Sequence, residues 1–335
     1  MSLLGKKKPE DELKKPTMRL SGENLQEIVK GNHVTVVSAT DVGKHRSHNE
    51  DNHLLMNLNN CSSLREQTLM LASTEGKGTL MMVTDGMGGA AAGDVASRMV
   101  KETLESWFRE YWCKASLKNE EFPLVLQNSI KEANKRVYKL ALKNSKYNGM
   151  GATVTAAGII GDQLFLAQVG DSRGYLNRGG KLIQVTRDQS LVNKLVESGN
   201  ITKEEARRHL AKNVILQAIG VSERLEMGFY TLALQSEDVV LLCSDGLSDM
   251  LTDNEISAIL DNKNDLLTMT RDLIKAANNA GGKDNITVVL GKFNRRQAEA
   301  QSADIAHTRK VNIDDLAEAG KDKTSRYIIP PEEKE

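Results

Sequence analysis

Three short apolar runs in this chain end in an aspartate where the run stops. "LMMVTDG" reaches Asp85, "LAQVGDS" reaches Asp171 and "LLCSDG" reaches Asp245. Short apolar runs bounded by glycine or aspartate are typical of buried strands. Because a core must hold each run, each of these carboxylates is fixed at the rim of a sheet.

A fourth acid, Asp284, stands just before the apolar run "NITVVLGKF". One Asp-Gly pair is a common turn, so turns alone are one interpretation of these positions. Metal ligands are the other, since clustered carboxylates repel unless a cation compensates them, and hard oxygen ligands favour Mg²⁺ or Mn²⁺. On pattern alone both interpretations stay open.

The glycine loop "GMGGAA" directly after Asp85 formally matches a dinucleotide-binding fingerprint. That interpretation would set the Asp85 carboxylate beside a pyrophosphate, and the sequence lacks the complete first βαβ unit. Glycines also let the backbone pass close to an ion and leave a carbonyl free to bind it. The loop therefore favours a metal, and a nucleotide-binding oxidoreductase is a distant alternative.

The stretch "GKHRSHNEDNHLL" combines a cation with two acids, because Arg46 stands shortly before Glu50 and Asp51. A guanidinium is a planar, two-pronged ligand for phosphate, and neighbouring acids can hold metal-bound water. A solvated charged loop is the alternative.

The stretch also holds three histidines, His45, His48 and His53. Zinc is disfavoured because soft ligands are missing and the neighbours are hard oxygen donors.

The predicted strands follow one another in adjacent pairs rather than alternating strictly with helices. Further strands are predicted within 33–43, 151–160, 162–172 and 227–235, and the second and third of these are joined by a tight Gly-Asp turn. Helical spacing covers 93–113 and 123–146. In the first helix the predicted buried face holds Val95, Met99, Leu104 and Phe108. Two antiparallel sheets covered by helix pairs suit this pattern.

Composition excludes several classes of function. Lys plus Arg and Asp plus Glu are both 45, so the net charge favours neither nucleic acid nor an anionic membrane as a partner. The three cysteines are odd in number and far apart in sequence, which predicts a reducing cytoplasm rather than a disulfide framework. No stretch approaches the roughly 18 apolar residues of a membrane span. We expect a cytoplasmic protein.

The two ends of the chain differ from its middle. Residues 1–31 are rich in lysine and glutamate and are predicted to form a polar N-terminal arm. Residues 294–335 are polar, and we expect a disordered tail. No linker interrupts residues 32–293, which predicts one continuous domain.

Five motifs carry a resemblance to a known family. "RSHNEDN" from Arg46, "VTDGMGG", "GDSRG", "SDGLSD" and "GGKDNITVV" occur in the order and spacing of the metal-dependent protein Ser/Thr phosphatases of type 2C, and the bacterial branch is most similar. The resemblance covers about residues 33–293. It implies an α+β fold, a four-layer α-β-β-α sandwich of two antiparallel sheets flanked by helix pairs.

The resemblance also implies a ligand set for two Mn²⁺ or Mg²⁺ ions. Asp85 would bridge both metals and the Gly86 carbonyl would bind one of them. Asp245 and Asp284 would complete the other, while Glu50 and Asp51 would act through water. Asp171 corresponds to the ligand of a third, weaker metal in many members. Arg46 corresponds to the phosphate-binding arginine.

The implied reaction is hydrolysis of phosphoserine and phosphothreonine in proteins. A hydroxide bridging the two metals would attack phosphorus in line, and a Ser/Thr kinase would be the opposing enzyme. A regulatory or binding module that keeps the phosphatase fold is the alternative function.

The chain departs from the family at three positions. Met87 stands where animal members have a histidine that protonates the leaving group, so the resemblance leaves the general acid unassigned, and the candidates are a metal-bound water first and a histidine of the 45–53 loop second. Gln189 and Gln217 replace a common histidine and arginine at the edges of residues 189–220, the segment that corresponds to the flap. These two changes bear on substrate preference more than on catalysis.

Overall fold

The computed structural model describes residue 28, residues 30–64, 69–89, 92–261 and 264–295, and the backbone of 309–310. Most of the predicted N-terminal arm and C-terminal tail lies outside the described residues. The strands are β1 His33–Asp41, β2 Asn52–Asn57, β3 Ser62–Leu64, β4 Leu69–Ser73, β5 Thr79–Thr84, β6 Gly86–Met87, β7 Gly151–Ala152, β8 Val154–Ile160, β9 Gln163–Val169, β10 Arg173–Arg178, β11 Lys181–Gln184, β12 Gly228–Ala233, β13 Val239–Cys243, β14 Ile286–Asn294 and β15 Arg309–Lys310.

The helices lie between and after these strands. They are α1 Ala92–Phe108, α2 Phe122–Lys143, α3 Leu191–Glu197, α4 Lys203–Arg208, α5 Asp245–Ser248, α6 Asp253–Leu260 and α7 Leu266–Asn279. A π-helical turn, Arg109–Cys113, extends α1, and short 3₁₀ turns cover Asn119–Glu121 and Ser145–Tyr147. No helix among the described residues has the length and apolar content needed to cross a bilayer.

Two large antiparallel sheets form the middle of the molecule. One has the order β11-β10-β13-β14-β1-β4 and the other the order β15-β12-β9-β8-β5-β2-β3, with β6 and β7 as a separate pair. The predicted hairpin is confirmed, since Ile160 pairs with Gln163 where β8 turns into β9. The two-sheet prediction is therefore confirmed.

Three apolar clusters fill the three spaces between four layers. Leu80 and Met82 of β5 pack towards α1 and α2, whereas Met81 and Val83 of the same strand pack between the two sheets. On the other sheet, Leu241 of β13 packs towards α6 and α7. Central strands are thus buried on both faces, which explains why their sequences are continuously apolar rather than alternating.

The predicted apolar face of α1 is partly wrong. Leu104 and Phe108 are fully buried, but Val95 and Met99 are only partly buried at the side of the helix. Ala96 and Val100 occupy the core face in their place. Small alanines pack close to the sheet, and a pattern search for large apolar residues misses them.

Helix starts follow local capping chemistry. Thr252 caps α6 and Thr202 caps α4, each as a capping box with a glutamate three residues later. Helix α6 accordingly begins at Asp253, directly after its Thr252 cap. The elements that the sequence did not predict include β2, which begins inside the charged 43–55 stretch, and the helices α3 and α7, whose caps Ser190 and Asp265 are not followed by a glutamate three residues later.

Candidate metal centre

Seven of the eight predicted site residues line one cavity of about 210 Å³. They are Arg46, Glu50, Asp85, Gly86, Asp171, Asp245 and Asp284. Three of them follow the ends of β5, β9 and β13, and Asp284 precedes β14. The fold thereby brings residues separated by more than 200 positions to one rim of the two sheets.

The eighth residue, Asp51, is buried behind this cavity. Its Oδ2 atom accepts a 2.7 Å hydrogen bond from the Ser244 hydroxyl, while its Oδ1 atom is buried with no partner. Burial raises the pKa of Asp51 to about 7, and the carboxylates of Asp245 and Asp284 add to this shift. One carboxylate oxygen of Asp51 is thus fixed by a hydrogen bond, and the other has no hydrogen-bond partner among the described residues.

The Asp85 loop is fixed by backbone pairing. Gly86 pairs with Ala152 in the β6–β7 ladder, and the Thr153 amide donates a 2.8 Å hydrogen bond to the Asp85 carbonyl. A Cβ atom on Gly86 would lie 2.2 Å from the carbonyl oxygen of Gly93 at the start of α1. Glycine is therefore required here, and the antiparallel ladder lacks the parallel βαβ unit of a dinucleotide site.

Three carboxyl groups at the centre of the cavity have strongly raised pKa values. Burial raises the pKa of Asp245 to about 7, with the nearby Asp249 and Asp284 charges adding to the shift. Burial also raises the pKa values of Asp85 and Asp171 well above their usual range, and neighbouring carboxylates reinforce both shifts. The neighbouring Asp85 carboxyl group acts in the opposite direction and lowers the pKa of Asp245.

A divalent cation fits this arrangement on two grounds. One oxygen each of Asp51, Asp171 and Asp245 is buried without a partner, and such atoms are costly unless something satisfies them. The donors are all oxygens, which suit Mg²⁺ or Mn²⁺. In the described chain, no three His, Cys, Asp or Glu side chains form a closed ligand group.

Arg46 makes a contact that the sequence did not predict. Its Nη2 atom donates a 2.7 Å hydrogen bond to Oδ2 of Asp284, and the Asp284 Oδ1 atom accepts the Asn285 amide. The Arg46 side chain is 50% exposed and that of Asp284 is 34% exposed. An exposed pair of this kind contributes only about 0–1 kcal/mol, so a divalent cation can compete for Asp284.

Asn285 organises the loop that carries the phosphate-binding candidates, and sequence reasoning assigned it no role. Its side-chain nitrogen donates to the carbonyls of Val42 (3.0 Å) and His48 (2.9 Å), and its Oδ1 atom accepts the Glu50 amide at 2.8 Å. The residue is 3% exposed. Its position inside the "KDNIT" motif was the only signal available in the sequence.

None of the three candidate histidines lines the cavity. His45 and His48 are exposed, and His48 contacts the neighbouring Ser47 hydroxyl. His53 is buried in β2, where burial and, to a lesser degree, Lys101 lower its pKa to about 4. His53 is therefore neutral near pH 7 and is poorly suited to donate a proton.

The segment 189–220 closes one side of the cavity through Asn213 and Ile215. Gln189 links its start to the site, because its Oε1 atom accepts the amide of Gly170, the residue before Asp171, at 2.8 Å. The Gln189 side-chain nitrogen donates to the Glu226 carbonyl at 3.0 Å, and Gln217 accepts the Glu226 amide at 3.3 Å. Gln189 and Gln217, the two departures from the family within this segment, thus hold its two ends to the loop that contains Glu226.

Comparison with known proteins agrees with this geometry. Residues 63–291 match the family model described as protein phosphatase 2C. The chain belongs to the protein phosphatase 2C family. The serine/threonine phosphatase stp of Listeria innocua is 39% identical over 258 residues, which cover 77% of this chain and 95% of that protein.

Solved structures of the protein phosphatase 2C family share the fold. The S. agalactiae serine/threonine phosphatase matches with a TM-score of 0.68 and 35% identity, over 77% of this chain and 99% of the other. The catalytic domain of the serine/threonine protein phosphatase PstP, solved in complex with two manganese ions, matches with a TM-score of 0.64 and 30% identity, over 78% and 99%. The predicted family, α+β sandwich and enzyme class, a protein Ser/Thr phosphatase, are confirmed.

Proposed function

We propose that this chain hydrolyses phosphoserine and phosphothreonine in proteins and depends on two Mn²⁺ or Mg²⁺ ions. The observation that carries the proposal is the set of three unpartnered carboxylate oxygens, on Asp51, Asp171 and Asp245, behind and within a cavity that Arg46 also lines. The likeness to PstP, whose structure contains two manganese ions, supports it.

The proposed ligands follow the family assignment. Asp85 would serve both ions, the Gly86 carbonyl one of them, and Asp245 and Asp284 the other. Glu50 and Asp51 would act through water, and Asp171 would hold a third, weaker ion. When bound, such ions lower the pKa of water and supply hydroxide for in-line attack on phosphorus.

Arg46 has a separate task in this proposal. A phosphoryl group entering the cavity would take the guanidinium that now contacts Asp284, while a cation would take the Asp284 carboxylate. Each charged group would exchange one partner of opposite charge for another, so the exchange leaves no charge uncompensated. A guanidinium can then bind two phosphoryl oxygens and stabilise charge on them during displacement.

Proton donation to the leaving serine or threonine oxygen is assigned to solvent. Within the described residues no histidine lines the cavity, and Met87 occupies the position of the animal histidine.

The domain limits proposed from the sequence, 32–293 for catalysis with polar ends 1–31 and 294–335, remain proposals. So do the opposing Ser/Thr kinase, the cytoplasmic location and the absence of nucleic-acid and membrane partners.

Asp85→Asn tests the proposal, because it keeps the side-chain shape and removes the charge that would serve both ions. Mn²⁺-dependent hydrolysis of a phosphoserine peptide should be lost. Mn²⁺ should also raise the thermal midpoint of the parent by more than that of the variant. Glu120→Gln, which removes an exposed acid away from the cavity lining, is the matched control. Undiminished turnover in Asp85→Asn would overturn the ligand assignment.

A further inference from the structure

Two of the three cysteines, separated by 52 positions in sequence, meet in the folded chain. Cys61 lies in the turn between β2 and β3, and Cys113 is the last residue of the π-helical turn that follows α1. Both side chains pack against the same apolar cluster, and the Cys61 thiol lies near enough to Cys113 to help raise the pKa of the Cys113 thiol. Both are free and partly exposed, whereas Cys243 is free and fully buried.

Arg109 holds the two backbones together. Its Nη1 atom donates to the Cys61 carbonyl, and its Nη2 atom donates to the Ser63 hydroxyl at 2.9 Å and to Glu105 at 2.8 Å. The Ser63 hydroxyl in turn donates to the same Glu105 oxygen. Because Arg109 opens the π-helical turn that Cys113 closes, this network fixes the Cys61 turn against the helix end.

Both cysteines also lie in unusual backbone. Cys61 has a φ angle of 58°, in the left-handed region that residues other than glycine rarely adopt. Cys113 closes a π-helical turn, a rare conformation that occurs often at functional sites. Trp112 in that turn is fully buried and donates to the Lys77 carbonyl at 3.0 Å. Packing and hydrogen bonds on both sides therefore maintain the approach of the two thiols.

We propose that Cys61 and Cys113 form a site of reversible oxidation, at which a peroxide converts the two thiols into one disulfide. In the first step the Cys61 thiolate attacks one peroxide oxygen, and the O–O bond breaks to give a Cys61 sulfenic acid and hydroxide, which takes up the proton that the thiol released and becomes water. In the second step the Cys113 sulfur attacks the Cys61 sulfur, and its proton leaves with the hydroxide as water. Overall, two thiols and one hydrogen peroxide give one disulfide and two waters.

The order of the two steps follows from the surroundings of Cys113. Burial raises the pKa of Cys113 to about 12, and the hydrogen bond to Cys61 and the charge on Cys61 also raise it. Cys113 therefore stays protonated near neutral pH, and the first attack on the peroxide is assigned to the sulfur of Cys61. Once Cys61 is a neutral sulfenic acid, its charge no longer opposes ionisation of Cys113.

The cross-link would enclose residues 61–113, which include Asp85, Gly86 and all of α1. Neither cysteine lines the cavity that holds the acids. The predicted effect is therefore on unfolding rather than on the ligand set. Closing a loop of this length restricts the unfolded chain, so the oxidised protein should unfold at a higher temperature.

The test uses the full chain treated with hydrogen peroxide and then with an alkylating agent, followed by mass analysis of peptides. We expect two of three thiols to be lost, a mass decrease of about 2 Da for the disulfide, and a peptide that joins Cys61 to Cys113. Dithiothreitol should restore both thiols. Cys243→Ser is the matched control and should form the same cross-link.

Two cysteine variants separate the first oxidation step from the formation of the disulfide. Cys113→Ser should stop at a Cys61 sulfenic acid that dimedone traps, and peroxide should not raise its thermal midpoint. Cys61→Ser should give no cross-link and no dimedone adduct on Cys113. Oxidation of the parent to sulfinic acid without an internal cross-link, or disulfides only between molecules, would overturn the proposal.

Discussion

Each end of strand β13 carries an aspartate, the buried Asp238 at the start and the partly exposed Asp245 after the end, and of these two only Asp238 forms an ion pair among the described residues. At the start, Asp238 accepts hydrogen bonds from Nε and Nη2 of Arg178 at 2.9 and 2.6 Å and from the Gln235 amide at 2.7 Å. At the other end, one Asp245 oxygen is buried with no partner. The first carboxylate is satisfied by the fold, and the second has an oxygen for which the described residues supply no partner.

An arginine does stand near the unsatisfied end, because Arg173 of β10 pairs with Cys243 across the sheet. Its guanidinium is already bound to Asp188 through Nε and Nη2, at 2.9 and 2.7 Å to Oδ2. The same pair of strands therefore neutralises the acid at one end and leaves the acids at the other end uncompensated. Unpaired oxygens, rather than acids as such, distinguish a cation site from a structural ion pair.

The largest expected effect comes from changing each aspartate of β13 in turn. Asp245→Asn should lower Mn²⁺-dependent turnover by more than about 100-fold, beyond the loss typical of residues that only support a ligand. Asp238→Asn should leave turnover of the folded protein unchanged but lower the free energy of unfolding by about 3 kcal/mol, because Arg178 loses its carboxylate. Turnover assays and urea unfolding in parallel measure both effects. Equal destabilisation by the two changes would contradict the comparison.

A second difference should appear in the pH dependence of stability in EDTA. The pKa values of Asp51 and Asp245 are about 7 in the folded protein, against 3.8 ordinarily. Between about pH 4 and 7 the folded state therefore binds more protons than the unfolded chain, and the unfolding free energy falls as pH rises. Each pKa unit of difference between the two states changes it by about 1.4 kcal/mol.

Asp245→Asn should flatten this decline, because the amide does not titrate and its removal of a charge relieves Asp51. Asp238→Asn should not alter the slope. Urea unfolding at several pH values between about 4 and 7 measures the slopes. A parent whose stability in EDTA rises over this range would show that the carboxylates are already compensated.

Arg46 should have an intermediate effect. Arg46→Ala removes a hydrogen-bonding cation from the substrate phosphoryl group, which corresponds to about 1.5–3 kcal/mol or a loss of roughly 10- to 100-fold in kcat/KM. The same change frees Asp284, so the concentration of Mn²⁺ needed for half-maximal thermal stabilisation should not rise. Weaker Mn²⁺ binding in Arg46→Ala would indicate that the arginine supports the ligands instead.

The smallest expected effect concerns the exposed side of segment 189–220. Four of the eight large apolar side chains that are exposed among the described residues fall within residues 210–221, beside the cavity. They are Leu210, Val214, Leu216 and Val221. Changing Leu210 and Leu216 to serine should lower kcat/KM for a phosphopeptide about threefold to tenfold, by loss of apolar contact with the peptide. Hydrolysis of p-nitrophenyl phosphate, which has no peptide, should not change.

Local patterns predicted the strands and the acids that follow them well. Apolar runs that end at Asp85, Asp171 and Asp245 are set by packing on both faces of a sheet, and that requirement is visible in a short window of sequence. The motif spacing then placed Asp284 and Arg46 in the same cavity. What the sequence did not predict was the hydrogen bond between those two side chains.

Contacts between distant segments account for the other misses. Asn285 binds backbone atoms in residues 42–50, and Cys61 meets Cys113 only because the β2–β3 turn packs on the end of α1. The charged 43–55 stretch concealed the start of β2, whose His53 is buried by β5 and its neighbours. In each case the partner lies far away in sequence, and no periodic pattern records it.

Helices cover the outer side of both sheets, so loops at the strand ends are the places where new sequence can be inserted without unpacking a layer. An exchange of residues 189–220 with the equivalent segment of a relative would alter the recognition surface while the carboxylates keep their supports in β5, β9 and β13. Because Gln189 and Gln217 join both borders of that segment to the Glu226 loop, a functional transplant should include residues 222–227 as well.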